Sequence, residues 1–337
     1  METRLIKPCE VDAAGEIIRS GGIVAFPTET VYGLGANAFD EAAVKKIFQA
    51  KGRPSDNPLI VHICDKSQIC ELAQDVSGAA QKLIDEIMPG PFTIILKKKN
   101  VVPTAVTAEL DSVGIRLPMQ KTAVEFIKAA GVPVAAPSAN LSGKPSPTKA
   151  KHVVADMWGR VDAIIDGEDC TVGVESTIVD ATGEVPVLLR PGGITYEELC
   201  RVVPQTLVDK NVLKSVAADE QPKCPGMKYK HYSPKAEVIV VEGESSAVQN
   251  KINELLLQNT GKTVGILTMF GSGYDRGIMI SGGENNKEYA KNLFSALRSF
   301  DDLGADIVFA EFCDTDGYGL AVKNRLYKAA GYNIIKV

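Results

Sequence analysis

Apolar residues along the chain fall into two spacings. Val11, Ala14, Ile17 and Ile18 stand three and four apart, which predicts a helix over 11–20 that Gly21 and Gly22 stop. Ala42, Val44, Ile47 and Phe48 predict a second helix over 41–51. The stretch 72–87 is mostly helical by the same test, and helices over 122–130 and 196–201 follow. Between them run short apolar segments with the character of buried strands, at 23–26, 58–63, 92–96, 113–117, 132–136, 163–166, 176–180 and 186–190. Strands in runs as well as in alternation with helices predict an α/β domain with a mixed sheet over 1–207.

The pattern weakens after 207. Residues 215–235 carry three prolines and almost no apolar run, which is linker composition, so 208–235 is read as a linker. Order resumes with strands at 237–241, 263–269, 306–311 and 333–337, alternating with helices at 247–258, 288–303 and 319–330. That alternation predicts a smaller, parallel, Rossmann-like domain over 236–337. No GxGxxG follows its first strand, which argues against a dinucleotide role.

The 337 residues are 45% hydrophobic and 23% charged, an ordinary globular balance, with a formal charge of -5. That charge argues against bulk nucleic-acid binding and leaves room for a local basic pocket. Seven cysteines, at 9, 64, 70, 170, 200, 224 and 313, form no CxxC pair and are odd in number, so neither a disulfide framework nor a zinc site is expected. With no signal peptide visible and no apolar stretch near the roughly 20 residues of a membrane helix, a cytoplasmic protein is expected.

Candidate chemistry sits where the strands end. Lys51-Gly-Arg-Pro-Ser-Asp-Asn-Pro58 follows a helix and brings two cations and an amide to one turn. Arg53 offers a planar fork for phosphate oxygens and Lys51 a compact charge, although a solvated helix end would carry the same residues. Thr28, Glu29 and Thr30 follow the 23–26 strand, and the Thr30 hydroxyl can bond a small polar substrate or simply form a turn. Arg116 lies inside an apolar strand, where it pairs with a structural carboxylate or awaits a ligand's. Arg190 precedes Pro191, Gly192 and Gly193; Ser138, Asn140, Ser142, Gly143 and Ser146 line a loop that can cradle an anion. Three histidines, at 62, 152 and 231, and no GxSxG exclude a serine hydrolase triad. No metal-ligand motif is evident, so any metal arrives as magnesium with nucleotide phosphates.

Taken in order, Phe26-Pro-Thr-Glu-Thr-Val-Tyr-Gly-Leu-Gly35, Lys51-Gly-Arg-Pro54, Asn57-Pro-Leu-Ile-Val-His62, Gly114-Ile-Arg-Leu-Pro118, Ala136-Pro-Ser-Ala-Asn140, Ser176-Thr-Ile-Val-Asp180 and Leu189-Arg-Pro-Gly-Gly193 resemble the YrdC-like family. The segment from Pro225 to Pro234 and the α/β tail match its two-domain form, the threonylcarbamoyl-AMP synthases, over nearly the whole chain. The resemblance implies a catalytic domain with a concave basic face. It implies a nucleotidyltransferase that forms L-threonylcarbamoyl-AMP and pyrophosphate from ATP, L-threonine and bicarbonate. A separate transferase would then modify tRNA beside the anticodon. It assigns Thr30, His62, Arg116, Ala136 and Ser176 to threonine. It assigns Arg53, Asn57, Ser112, Ser138, Asn140, Ser146 and Arg190 to ATP, with Lys51 lending charge and Tyr232, beside His231, closing as a lid. Lys51 and Arg53 would be the catalytic cations. A carbamoyl-AMP-forming maturation factor shares the module but carries an acylphosphatase-like part and CxxC zinc pairs, which this chain lacks. A noncatalytic RNA-binding module is the other class, and weak RNA binding remains compatible with a basic face. The loop Asp314-Thr-Asp316-Gly-Tyr318 either binds something or turns.

Overall fold

The computed structural model describes residues 2–214, 222–226, 231–269 and 273–337. Part of the 208–235 linker therefore lies outside the described residues. The described residues of Met1–Ser142 and Ser146–Lys228 form one unit, and those of Gly143–Pro145 and Tyr229–Val337 a second.

The first unit is built on a mixed sheet of twelve strands among the described residues. Its order is Arg4–Ile6, Ala163–Ile165, Val24–Phe26, Gly33–Asn37, Val134–Ala136, Ile60–His62, Ser112–Arg116, Phe92–Lys98, Thr177–Asp180, Val187–Arg190 and Leu207–Val208, with Ala73–Gln74 paired to Phe92–Lys98. Both antiparallel and parallel pairs occur along it, the mixed sheet expected from the sequence. Helices Val11–Arg19 and Lys121–Ala130 bury Ala14, Ile18, Phe126 and Ile127 against Val24, Phe26 and Val134. Their crossing is close because Gly15 has no Cβ; one added there would lie 2.5 Å from the backbone carbon of Ala129.

Helix Glu41–Lys51 begins on Asp40, whose carboxylate accepts from the Ala42 and Ala43 amides, and ends on Gly52 in the left-handed region (φ 60°). This cap turns the chain out of the helix at Lys51 and re-aims it at Arg53. The cap therefore sets the direction of the two cations singled out from the sequence.

One local expectation differs from the structure, and several elements were not expected. The helix expected over 72–87 is two helices, Ile69–Leu72 and Gly78–Ile87, separated by strand Ala73–Gln74. Asp75 at φ 55° and the Ser77 cap, which accepts from the Ala80 amide, make the break. Strand Gly33–Asn37 is an element that the apolar pattern does not mark. Two glycines hide it: a Cβ on Gly33 would lie 2.9 Å from the Phe26 ring, and one on Gly35 2.6 Å from Val134. Strands Arg4–Ile6 and Ile278–Ser281 are too short to stand out, and helix Ala150–Met157 was not expected although Ala150, Val153, Val154 and Met157 stand at helical spacing.

Among the described residues the second unit has a five-stranded parallel sheet, ordered Ile278–Ser281, Val264–Thr268, Ile307–Phe312, Glu237–Glu242 and Ile334–Lys336. Helices Ser245–Gln258, Asn286–Asp302 and Gly319–Ala329 link the strands, the alternation expected from the sequence. Among the described residues no helix is long and apolar enough to cross a membrane.

Candidate active site

Arg116 ends its strand and lies 4% exposed. Its Nη2 donates to Glu29 Oε1 at 2.6 Å, and Glu29 is equally buried. Burying two charges is tolerated when they pair closely, so the structure supplies the carboxylate partner that the sequence left open. The pair is not closed on itself. Among the described residues, Glu29 Oε2 and Arg116 Nε are both buried without a hydrogen-bond partner. Thr28 and Thr30 stand beside it, hydroxyl to hydroxyl at 2.8 Å, and Thr28 Oγ1 lies 3.5 Å from Arg116 Nη2.

His62 sits in register with Arg116 on the next strand. Its Nδ1 faces the carbonyl of Ile60 at 3.2 Å, and its ring meets Phe26 edge-on at 5.7 Å. Burial first, and the Arg116 charge second, push its pKa from 6.5 down to about 3. His62 is therefore neutral through the physiological range. The unfolded chain binds a proton on His62 below about pH 6.5 and the folded chain does not. Stability from this group is thus complete above about 6.5 and drains away as pH falls toward 3. Between pH 7 and 4, the denaturation midpoint should fall more steeply for the wild type than for His62→Gln; coincident curves would mean that the ring protonates without strain.

On the other side of Arg116, strand Phe92–Lys98 brings Thr93 to 2.8 Å from Ser176, hydroxyl to hydroxyl. Arg190 fixes Ser176: its Nε and Nη2 donate to the Ser176 carbonyl at 3.1 and 2.9 Å, and Nη2 reaches Ser176 Oγ at 3.1 Å. The turn after Arg190 presses onto the same segment, and a Cβ on Gly192 would fall 2.3 Å from the Glu175 carbonyl oxygen. Ser146 Oγ donates to Glu175 Oε1 at 2.7 Å.

The cations at the helix end divide their tasks. Lys51 is buried, and its ammonium donates to the carbonyls of Ser138 and Asn140. Within that turn Ser138 Oγ donates to Asn140 Oδ1 at 2.6 Å. Lys51 thus braces the 138–140 turn. Arg53 is half-exposed; its Nη2 donates to the carbonyls of Pro58 at 3.2 Å and Asn57 at 3.4 Å. Asn57 is buried, with Oδ1 unpartnered among the described residues. Ser112 opens the Arg116 strand and lines a crevice with Pro58, Thr93, Gly114 and Pro225. Ala136 ends its own strand opposite Ile60. Tyr232 belongs to the second unit, where its ring stacks on Phe294 at 5.1 Å and lies 5.5 Å from the Arg325 guanidinium.

His62 and Arg116 thus lie on neighbouring strands of one sheet, with Thr30 in the turn between Val24–Phe26 and Gly33–Asn37 and Ser176 just before Thr177–Asp180; Lys51 meets the 138–140 turn, and Arg53 meets Asn57. The arrangement runs across strands rather than along one carboxyl edge, because a mixed sheet has no common carboxyl edge. The sequence reading missed the partners Glu29, Thr93 and Glu175. Glu29 carried a signal: a carboxylate directly after a buried strand, in a chain with an arginine inside another.

A family profile described as "Telomere recombination" (Sua5_yciO_yrdC) matches residues 16–192, and one described as "Threonylcarbamoyl-AMP synthase, C-terminal domain" matches residues 194–331. A threonylcarbamoyl-AMP synthase of Pyrococcus abyssi (strain GE5 / Orsay) is 50% identical, with 98% of this chain and 97% of that protein covered. One of Bacillus subtilis (strain 168) is 46% identical, with 97% and 94% covered. The crystal structure of P. abyssi Sua5 complexed with L-threonine superposes with a TM-score of 0.94, at 48% identity over 100% of both chains. With both domains matched and identity near one half along almost its whole length, this chain belongs to the threonylcarbamoyl-AMP synthase family.

Proposed function

We propose that this chain is an L-threonylcarbamoyladenylate synthase: from ATP, L-threonine and bicarbonate it makes L-threonylcarbamoyl-AMP and pyrophosphate, for threonylcarbamoyladenosine modification of tRNA. The observation that carries this reading is the buried Arg116, with a donor unpartnered among the described residues, beside Thr30 and His62. A relative of nearly identical fold has been crystallised with L-threonine. Arg116 holds the threonine carboxylate. Thr30, neutral His62, Ala136 and Ser176 shape the remainder of that pocket. Arg53, Asn57, Ser112, Ser138, Asn140, Ser146 and Arg190 receive ATP.

Threonine carbamate forms at the substrate amine. One of its oxygens attacks the α-phosphorus, and pyrophosphate leaves. No side chain becomes a covalent intermediate; the protein positions two anions and offsets their charge. Magnesium enters as part of the Mg-ATP substrate, held chiefly by the phosphates. The product passes to a separate transferase in the cytoplasm.

Pyrophosphate release, with threonine and bicarbonate omitted in turn and the nucleotide product weighed by rapid mass spectrometry, tests the reading. Release that needs both, with the threonylcarbamoyl-AMP mass, is the expected result. Release without threonine would replace it with carbamoyl transfer or plain ATP hydrolysis.

A further inference from the structure

We propose that Glu29 receives the α-ammonium of threonine and takes its proton, so that Glu29 and Arg116 together read the two charged ends of one amino acid. The inference rests on the threonine reading of the site and adds a proton acceptor to it.

A purely structural ion pair in a protein interior uses its strong hydrogen-bonding atoms, because each one left unpaired forfeits its lost hydration. Here one atom on each side is unused. Glu29 Oε1 is taken by Arg116 Nη2 at 2.6 Å, while Glu29 Oε2 and Arg116 Nε are buried and unpartnered among the described residues. One is an acceptor and the other a donor, and their residues are in direct contact. A ligand with a carboxylate and an ammonium on one carbon satisfies both at once. Neither a phosphate nor a neutral sugar does.

The other titratable groups nearby are poor bases. His62, on the strand beside Arg116, has a pKa of about 3. Cys170 feels the charge of Glu29, but burial keeps its thiol protonated. Tyr32 feels Cys170, Asp166 and Asp169, and burial raises it as well. Asp169 also acts on Cys170, from the segment whose Val172 amide donates to the Glu29 carbonyl at 2.8 Å. Arg116 is the cation facing Glu29.

The step balances. An N–H bond of the ammonium breaks as an O–H bond forms on Glu29 Oε2, which leaves the nitrogen lone pair exposed. That pair forms the N–C bond to bicarbonate, and water departs, giving the carbamate. The proton on Glu29 returns to solvent when the product leaves.

Three readouts test this. In Glu29→Gln, threonylcarbamoyl-AMP synthesis at pH 7 should fall by about 10²–10⁴-fold. The residual rate should climb about tenfold per pH unit, because only threonine already deprotonated in solution reacts. Run in reverse, ATP formation from threonylcarbamoyl-AMP and pyrophosphate breaks no ammonium N–H bond, so it should fall less than about tenfold. Glu29→Asp keeps the charge and should keep the wild-type pH profile at a lower rate. Wild-type synthesis and pH profile in Glu29→Gln, or equal losses in both directions, would overturn the proposal. Should Glu29→Gln not fold, the wild type decides: 3-hydroxybutyrate, which is threonine without its amine, should bind at least about tenfold more weakly than threonine. Equal binding would overturn the proposal too. If the wild type makes no threonylcarbamoyl-AMP, the functional reading itself has failed, and that is seen before any substitution is made.

Discussion

Arg116→Met should lose threonine-dependent pyrophosphate release to background and should also lose about 3–5 kcal/mol of stability. The two losses have separate causes. Activity goes because the donor proposed for the substrate carboxylate is gone. Stability goes because Glu29, only 4% exposed, is left as a buried charge without its counterion. The double variant Glu29→Met, Arg116→Met separates them. Replacing both charges with apolar side chains removes the stranded carboxylate, and such replacements are often neutral or stabilising. Urea denaturation should show the double variant recovering most of the lost stability, while threonine turnover stays at background. A single variant as stable as the wild type would mean that the ion pair does not hold the 28–30 turn to the sheet.

Arg53→Ala should behave in the opposite way. Arg53 is half-exposed, and its Nη2 contacts with the carbonyls of Pro58 and Asn57, at 3.2 and 3.4 Å, lie at the long end of the hydrogen-bond range. Their loss should change stability by no more than about 1 kcal/mol. Turnover should nonetheless fall by about 10²–10³-fold, the usual cost of removing one preorganised donor from a centre of developing charge. Arg53→Lys keeps the charge but not the fork, and should recover only part of the rate. Full recovery in the lysine variant would show that charge alone matters. An unchanged rate in the alanine variant with a normal unfolding midpoint would remove Arg53 from the ATP site.

Much of this organisation is legible in the chain. Runs such as Phe92–Lys98 and helices such as Glu41–Lys51 are marked by their apolar positions, so the mixed α/β class of the first unit and the alternation of strands and helices in the second follow from pattern. Arg116 was conspicuous as a cation among apolar neighbours. What pattern could not supply was pairing across distance. Glu29 meets Arg116 across 87 positions, and Thr93 meets Ser176 across 83, so neither contact leaves a local trace. Strand Gly33–Asn37 was hidden for a different reason. Its two glycines are there to make room for Phe26 and Val134, so a packing requirement removed the side chains that would have marked a strand.

The stretch from Pro222 to Gly226 has linker composition, yet it covers part of the first sheet. Cys224 is buried with Ile60, Ile95, Ile178 and Leu189, Arg190 Nη1 donates to the Pro225 carbonyl at 3.1 Å, and Lys223 lies 3.7 Å from Asp180. Cutting the polypeptide after Val208 would therefore not release a clean catalytic fragment. It would uncover a greasy patch around Ile60 and Ile178 and leave Arg190 without one of its anchors. A shorter enzyme made for crystallisation or screening should extend through Gly226, and one that stops sooner should self-associate.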